Sequence, residues 1–97
     1  MTPPFSVQTT TGFDRTFRKL VQQHPDLVNY YARVRPILAT DPYNRTRAHP
    51  IKKLEGIPAG QGQYRIRAGR LRFRYDIASQ IVYLKACSLR REDTYRR

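Results

Sequence analysis

Ninety-seven residues supply one domain and leave no room for a second. Against 7 Asp and Glu stand 19 Lys and Arg, a net charge of +12, so the expected partner is polyanionic, with nucleic acid ahead of an acidic membrane. A single cysteine, Cys87, excludes an intramolecular disulfide framework and suits a reducing compartment. No apolar run approaches the roughly 20 residues that span a bilayer. The opening MTPPFSVQ has neither the basic nor the apolar region of a signal peptide. The expected location is therefore the cytoplasm. The charge is uneven: residues 1–40 carry five basic and two acidic side chains, residues 41–97 fourteen and five.

Phe5 and Val7 alternate with Ser6 and Gln8, which predicts a short first strand. Phe13, Phe17, Leu20 and Val21 form one stripe of an amphipathic helix, with Thr10 or Thr11 as its cap and Asp14 in its first turn. Pro25 and Asp26 suit the start of a second helix that presents Leu27, one of Tyr30 and Tyr31, Val34 and Leu38 to the core. Pro36 should kink that helix or end it early, and Asp41-Pro42 closes it. Pro50, Gly56, Pro58 and Gly60-Gln61-Gly62 predict that residues 43–62 are mostly loop.

Strict alternation then begins. Tyr64 and Ile66 alternate with Arg65 and Arg67, Ala68-Gly69 can turn the chain, and Leu71, Phe73, Tyr75 and Ile77 alternate with Arg70, Arg72, Arg74 and Asp76. A turn near Ala78-Ser79 leads to a buried strand from Ile81 to Cys87, whose thiol reads as a small buried hydrophobe. A charged tail follows from Ser88. The whole predicts an α+β domain over residues 1–97: a helical hairpin packed on one face of a small, mainly antiparallel twisted sheet. Its element order is strand, helix, helix, strand, strand, strand.

Because strand side chains point to opposite faces with period two, the apolar set faces the helices and Arg65, Arg67, Arg70, Arg72 and Arg74 are forced to the other side. Like charges opposite one another destabilise a sheet, so such a face points to phosphate binding. Arg45, Arg47, Lys52 and Lys53 in the preceding loop, either solvated charges or further phosphate contacts, extend the candidate RNA-binding set, which the resemblance given below would make ribosome-binding as well. No Walker loop follows Gly60-Gln61-Gly62, and two histidines with one cysteine at unrelated positions make no metal site. Phosphate chemistry here would need neither metal nor cofactor. In RNA the 2′-hydroxyl can attack its own phosphate, leaving the protein to orient the strand and stabilise charge.

The stretches Lys53-Leu54-Glu55-Gly56, Gly62-Gln63-Tyr64-Arg65-Ile66-Arg67, Arg72-Phe73-Arg74-Tyr75-Asp76-Ile77 and Arg90-Arg91-Glu92-Asp93-Thr94-Tyr95 together resemble the RelE/ParE superfamily of toxins from toxin–antitoxin pairs. The resemblance runs over nearly the whole chain. It implies a ribosome-dependent endoribonuclease that cuts messenger RNA and inhibits translation, held silent by an acidic antitoxin that folds on binding. Its catalytic set would be Arg65, Arg67, Arg72, Tyr95 and either Arg90 or Arg91. RelE carries lysines where Arg65 and Arg67 stand. Arg47-Ala48-His49-Pro50-Ile51 resembles a loop of YafQ-like relatives in which a histidine takes part in cleavage, which adds His49. The ParE branch shares the fold but inhibits DNA gyrase without cleaving RNA, and a plain RNA-binding module remains a third reading.

Overall fold

The computed structural model describes residues 3–90, so Arg91 and Tyr95 lie outside the described residues. In chain order the elements are β1 (Ser6–Thr9), α1 (Thr11–Gln23), α2 (Leu27–Thr40), β2 (Ile51–Lys53), β3 (Tyr64–Ala68), β4 (Leu71–Ala78) and β5 (Ile81–Leu89). They form one five-stranded sheet in the order β1-β5-β4-β3-β2. All neighbours run antiparallel except β1, which lies parallel to β5. Both helices pack on one face, giving the expected α+β architecture. Among the described residues no helix is long and apolar enough to cross a membrane.

Thr10 does two jobs at the entry to α1. Its hydroxyl accepts from Phe13 N–H at 3.3 Å, capping the helix, and donates to the Leu84 carbonyl at 2.9 Å, tying that cap to β5. The stripe from Phe13 to Val21 then faces inward, with Phe13 stacked on Phe17 at a centroid distance of 5.6 Å. In α2 the expected early end at Pro36 does not occur: the helix runs on to Thr40. Buried Val34 and Leu38 anchor it on both sides of the proline. Pro36 and Ala32, whose carbonyl loses its donor, both lie on the exposed side, where water can reach that carbonyl. Asp41 closes the helix, its N–H donating to the Ile37 carbonyl at 2.8 Å.

Two further expectations need correction. The segment 43–62 is mostly loop as expected, but the expected order lacked a strand: within it Ile51–Lys53, β2, pairs with β3 and makes a fifth. Three residues are too few to display an alternation, and only pairing with β3 makes them a strand. Tyr30 and Tyr31 both pack against the core, not one of them: Tyr31 lies among Phe13, Phe17 and Phe73, while Tyr30 covers the β3–β4 turn.

The core is a single cluster between helices and sheet, in which Leu27, Leu38, Ile66, Leu71, Phe73, Tyr75, Val82 and Leu84 are wholly buried. Tyr75 stacks on Tyr64 and donates its hydroxyl to the Pro42 carbonyl at 2.7 Å. Burial pushes that phenol far above its ordinary value, so it remains a protonated donor. Burial likewise pushes the Cys87 thiol up to about 11, which makes it an inert part of the core.

The β3–β4 connection turns at Gly69, where φ is +60°. A Cβ at this position would stand 2.5 Å from the Tyr30 ring. Gly69→Ala is therefore expected to lower stability by about 1–2 kcal/mol from the left-handed backbone alone, with a further loss if Tyr30 must swing away. Chemical denaturation of the two proteins measures it.

Candidate nucleic-acid interface

The register between β3 and β4 decides what each face of the sheet carries. Tyr64 pairs with Tyr75 and Ile66 with Phe73 on the core side, while Arg65 pairs with Arg74 and Arg67 with Arg72 on the other. Lys52 on β2 pairs with Arg65, and Ser88 on β5 pairs with Arg72, so both join the second face. Among the described residues no helix covers this face. Directly opposed Cβ atoms in an antiparallel sheet are about 5 Å apart, so two arginine pairs face each other at repulsive distance. Arg72 is the most telling member. Its Nε is buried and has no hydrogen-bond partner among the described residues. A buried donor without an acceptor costs about 1–3 kcal/mol, a cost that an incoming anion would relieve.

Not every basic residue of the predicted set joins this ladder. Arg70 sits in the turn rather than on the arginine face and pairs with Asp26 at 3.3 Å, because the two turn residues interrupt the alternation. This exposed pair contributes little to stability. Lys53 lies over the Tyr64 ring on the core side, opposite in face to Lys52. Arg45 stacks over Tyr43 in the loop after α2, and Arg47 adopts a left-handed backbone there with φ +60°. Arg90 continues the β5 ladder, its N–H donating to the Arg70 carbonyl at 2.7 Å.

Arg74 stands in the ladder but its guanidinium is engaged. It donates from Nε to the Gly62 carbonyl at 3.1 Å and from Nη2 to the Gln61 carbonyl at 2.8 Å. Two residues further along β4, buried Asp76 accepts from the Gly62 and Gln63 N–H groups at 2.9 and 3.0 Å. The two side chains thus clamp residues 61–63 to the sheet through carbonyls and amides respectively, and that segment feeds directly into β3 and Arg65. Asp76 was placed by the alternation, but nothing in its sequence neighbourhood announces which amides it holds.

His49 directly precedes Pro50, whose carbonyl accepts from the Arg67 N–H at 3.2 Å at the edge of the sheet. The His49 Nε2 lies 3.8 Å from Asp41 Oδ2 at the end of α2, and the His49 N–H donates to Asn44 Oδ1 at 3.1 Å. Asp41 also accepts from the Thr46 hydroxyl at 2.6 Å and from the Arg45 and Thr46 N–H groups. Chiefly the Thr46 hydroxyl, and then these amides and His49, hold the Asp41 carboxyl below its ordinary value against the opposing effect of burial. Within residues 41–49, Asp41, Asn44, Thr46 and His49 are thus linked by hydrogen bonds and the His49–Asp41 contact. Among the described residues no three His, Cys, Asp or Glu side chains are grouped to hold a metal ion.

No protein-family model matches the sequence, and no curated protein matches it. The fold does have a solved counterpart. A chain of the crystal structure of the archaeal RelE-RelB complex from Pyrococcus horikoshii OT3 superposes with a TM-score of 0.66 at 22% sequence identity, covering 92% of this chain and 98% of that one. The chain therefore carries a RelE-like fold, two helices on an open, mostly antiparallel five-stranded sheet.

Two outcomes test the local geometry. Asp76→Ala should cost about 2–3 kcal/mol in chemical denaturation, because two amide donors lose a charged acceptor. For Asp41, a carboxyl lowered in the folded state stabilises above its unfolded value near 3.8, and that stability is lost as pH falls through the folded-state value. Asp41→Asn should therefore unfold more easily at neutral pH and show a flatter acid limb in melting temperature against pH.

Proposed function

We propose that this chain is the toxin of a toxin–antitoxin pair, a ribosome-dependent endoribonuclease that cleaves messenger RNA and so inhibits translation in the cytoplasm. The supporting observation is the arginine ladder with the buried, unpartnered Arg72 Nε on a RelE-like sheet. A guanidinium fork binds phosphate oxygens bidentately and keeps its charge at any working pH. Arg65, Arg67 and Arg72, with Lys52 beside them, would hold the scissile phosphate and stabilise the negative charge that grows on it.

In the proposed step the 2′-oxygen forms a bond to phosphorus while the bond to the 5′-oxygen breaks. The 2′-hydroxyl gives up its proton and the leaving 5′-oxygen gains one, yielding a 2′,3′-cyclic phosphate and a 5′-hydroxyl. Arginine cannot take a proton from the nucleophile, so another group must, or the transfer must lag. Tyr95, assisted by Arg90 or Arg91, is proposed for this role on the resemblance alone. His49 is the alternative, and its engagement with Asp41 weighs against it. No metal or cofactor is required by this scheme. The silencing partner is proposed to be an acidic antitoxin that folds on this +12 chain; the matched structure is by its name a RelE-RelB complex.

With ribosomes present, mapped RNA ends should carry 2′,3′-cyclic or 3′-phosphate and 5′-hydroxyl groups, and a 2′-deoxy nucleotide 5′ of the scissile bond should block cleavage. Arg72→Ala should lower the rate by about 10²–10³, the range for losing one preorganised transition-state donor. Tyr95→Phe should slow cleavage while ribosome binding persists, and His49→Gln should change the rate little. Products bearing 5′-phosphate would overturn the mechanism. Inhibition of gyrase supercoiling without RNA cleavage would move the chain to the ParE-like reading.

A further inference from the structure

Beside the arginine ladder, on the same face of the sheet, lies a cavity of about 300 Å³ walled by the clamped loop and by β4 and β5. We propose that it is a nucleobase pocket, receiving a base of the single-stranded RNA whose phosphates lie on Arg65, Arg67 and Arg72. The inference rests on the functional reading above and adds to it where a base, as opposed to the backbone, is held.

A break in the β5 ladder builds the pocket. Between Arg74 and Tyr75 the partner on β5 jumps from Ala86 to Leu84, leaving Lys85 as an extra residue. Such a bulge re-aims a side chain. Lys85 consequently lines the cavity together with Tyr83, which pairs across the strands with Asp76. Gln63 closes the other side, its Nε2 spent on the Ile57 carbonyl at 2.9 Å. The Gln63 Oε1, the Tyr83 hydroxyl and the Lys85 ammonium make no hydrogen bond to any described residue, and all three belong to residues lining the cavity.

A concave site with small apolar walls, one aromatic ring and a few unpaired polar groups suits a flat heteroaromatic ligand. Tyr83 offers a stacking face, Gln63 an acceptor and Lys85 a donor for base edges. The buried carboxylate of Asp76 in the wall disfavours a phosphate, so the charged part of the strand is directed to the arginines and the uncharged part to the cavity. Same-face residues on one strand are about 7 Å apart. Arg72, Arg74 and Asp76 therefore set phosphate ladder and pocket within two such steps.

The test compares a five-nucleotide single-stranded RNA with the same ribose-phosphate backbone lacking its bases, by fluorescence anisotropy at low salt. Wild-type protein should prefer the RNA bearing bases. Tyr83→Ala should weaken binding of that RNA by roughly 5- to 100-fold, the range for losing one stacked base, and leave the abasic backbone unaffected. Tyr83→Phe, which keeps the ring, should behave almost as wild type, and Lys85→Ala should give a smaller loss of the same preference. Arg72→Ala should weaken both probes alike. Equal losses on both probes for Tyr83→Ala, with the circular dichroism of the fold retained, would overturn the pocket while leaving the arginine face intact. Unchanged affinity in Tyr83→Ala and Lys85→Ala would do the same, and would leave an antitoxin segment as the occupant to examine. Failure of the wild-type protein to bind either probe would overturn the pocket, whereas the functional reading is decided separately by RNA cleavage in the presence of ribosomes.

Discussion

The pairing register of β3 with β4 is the constraint on which the rest of this molecule depends. One set of cross-strand pairs, Tyr64 with Tyr75 and Ile66 with Phe73, gives α1 and α2 a surface to bury. The interleaved set, Arg65 with Arg74 and Arg67 with Arg72, puts four guanidinium groups on the opposite side. A slip of one residue would send the arginines into the core and the aromatics into solvent. Burial of the aromatic set therefore enforces the repulsive arrangement of the arginine set. The cost of opposed like charges, up to about 1 kcal/mol for each pair, is small beside the burial of rings such as Phe73.

Around that register the arginines differ in how far the described fold engages them, as Arg74 and Arg72 show. Arg74 is engaged with the Gln61 and Gly62 carbonyls, and Asp76 takes the amides of the same segment. Together they fix the approach to β3 and one wall of the neighbouring cavity. Arg72 is different, since a buried Nε without an acceptor is tolerated only where something else is gained. The loop after α2 is held by its own contacts, among Asp41, Asn44, Thr46 and His49, up to the Pro50 carbonyl that meets the Arg67 N–H.

The bulge in β5 links the core to the site. Val82 and Leu84 are buried, and so are Cys87 and, in part, Leu89, a pattern of twos broken by one step of three. That extra residue lets the strand keep an apolar face along its whole length, and places Lys85 beside Tyr83. The shift is visible in the sequence as a change of phase, although the expected strand ended at Cys87 and left Ser88 and Leu89 to the tail. Both belong to β5.

The alternation from Tyr64 to Ile77 and the stripe from Phe13 to Val21 determined by themselves the strand and helix types, the apolar face and most of the arginine face. Periodicity reports side-chain direction directly, and burial enforces it. What periodicity cannot carry was decided by tertiary structure. Ile51–Lys53 becomes a strand only through its partner β3. Pro36 stays within α2 because packing on both sides outweighs one lost hydrogen bond. Lys52 joins the arginines while Lys53 does not, Arg70 leaves them for Asp26, and His49 turns to Asp41. Each of these depends on contacts between residues distant in the chain, or on the geometry of a turn. Local pattern specifies a face; only the folded chain specifies a partner.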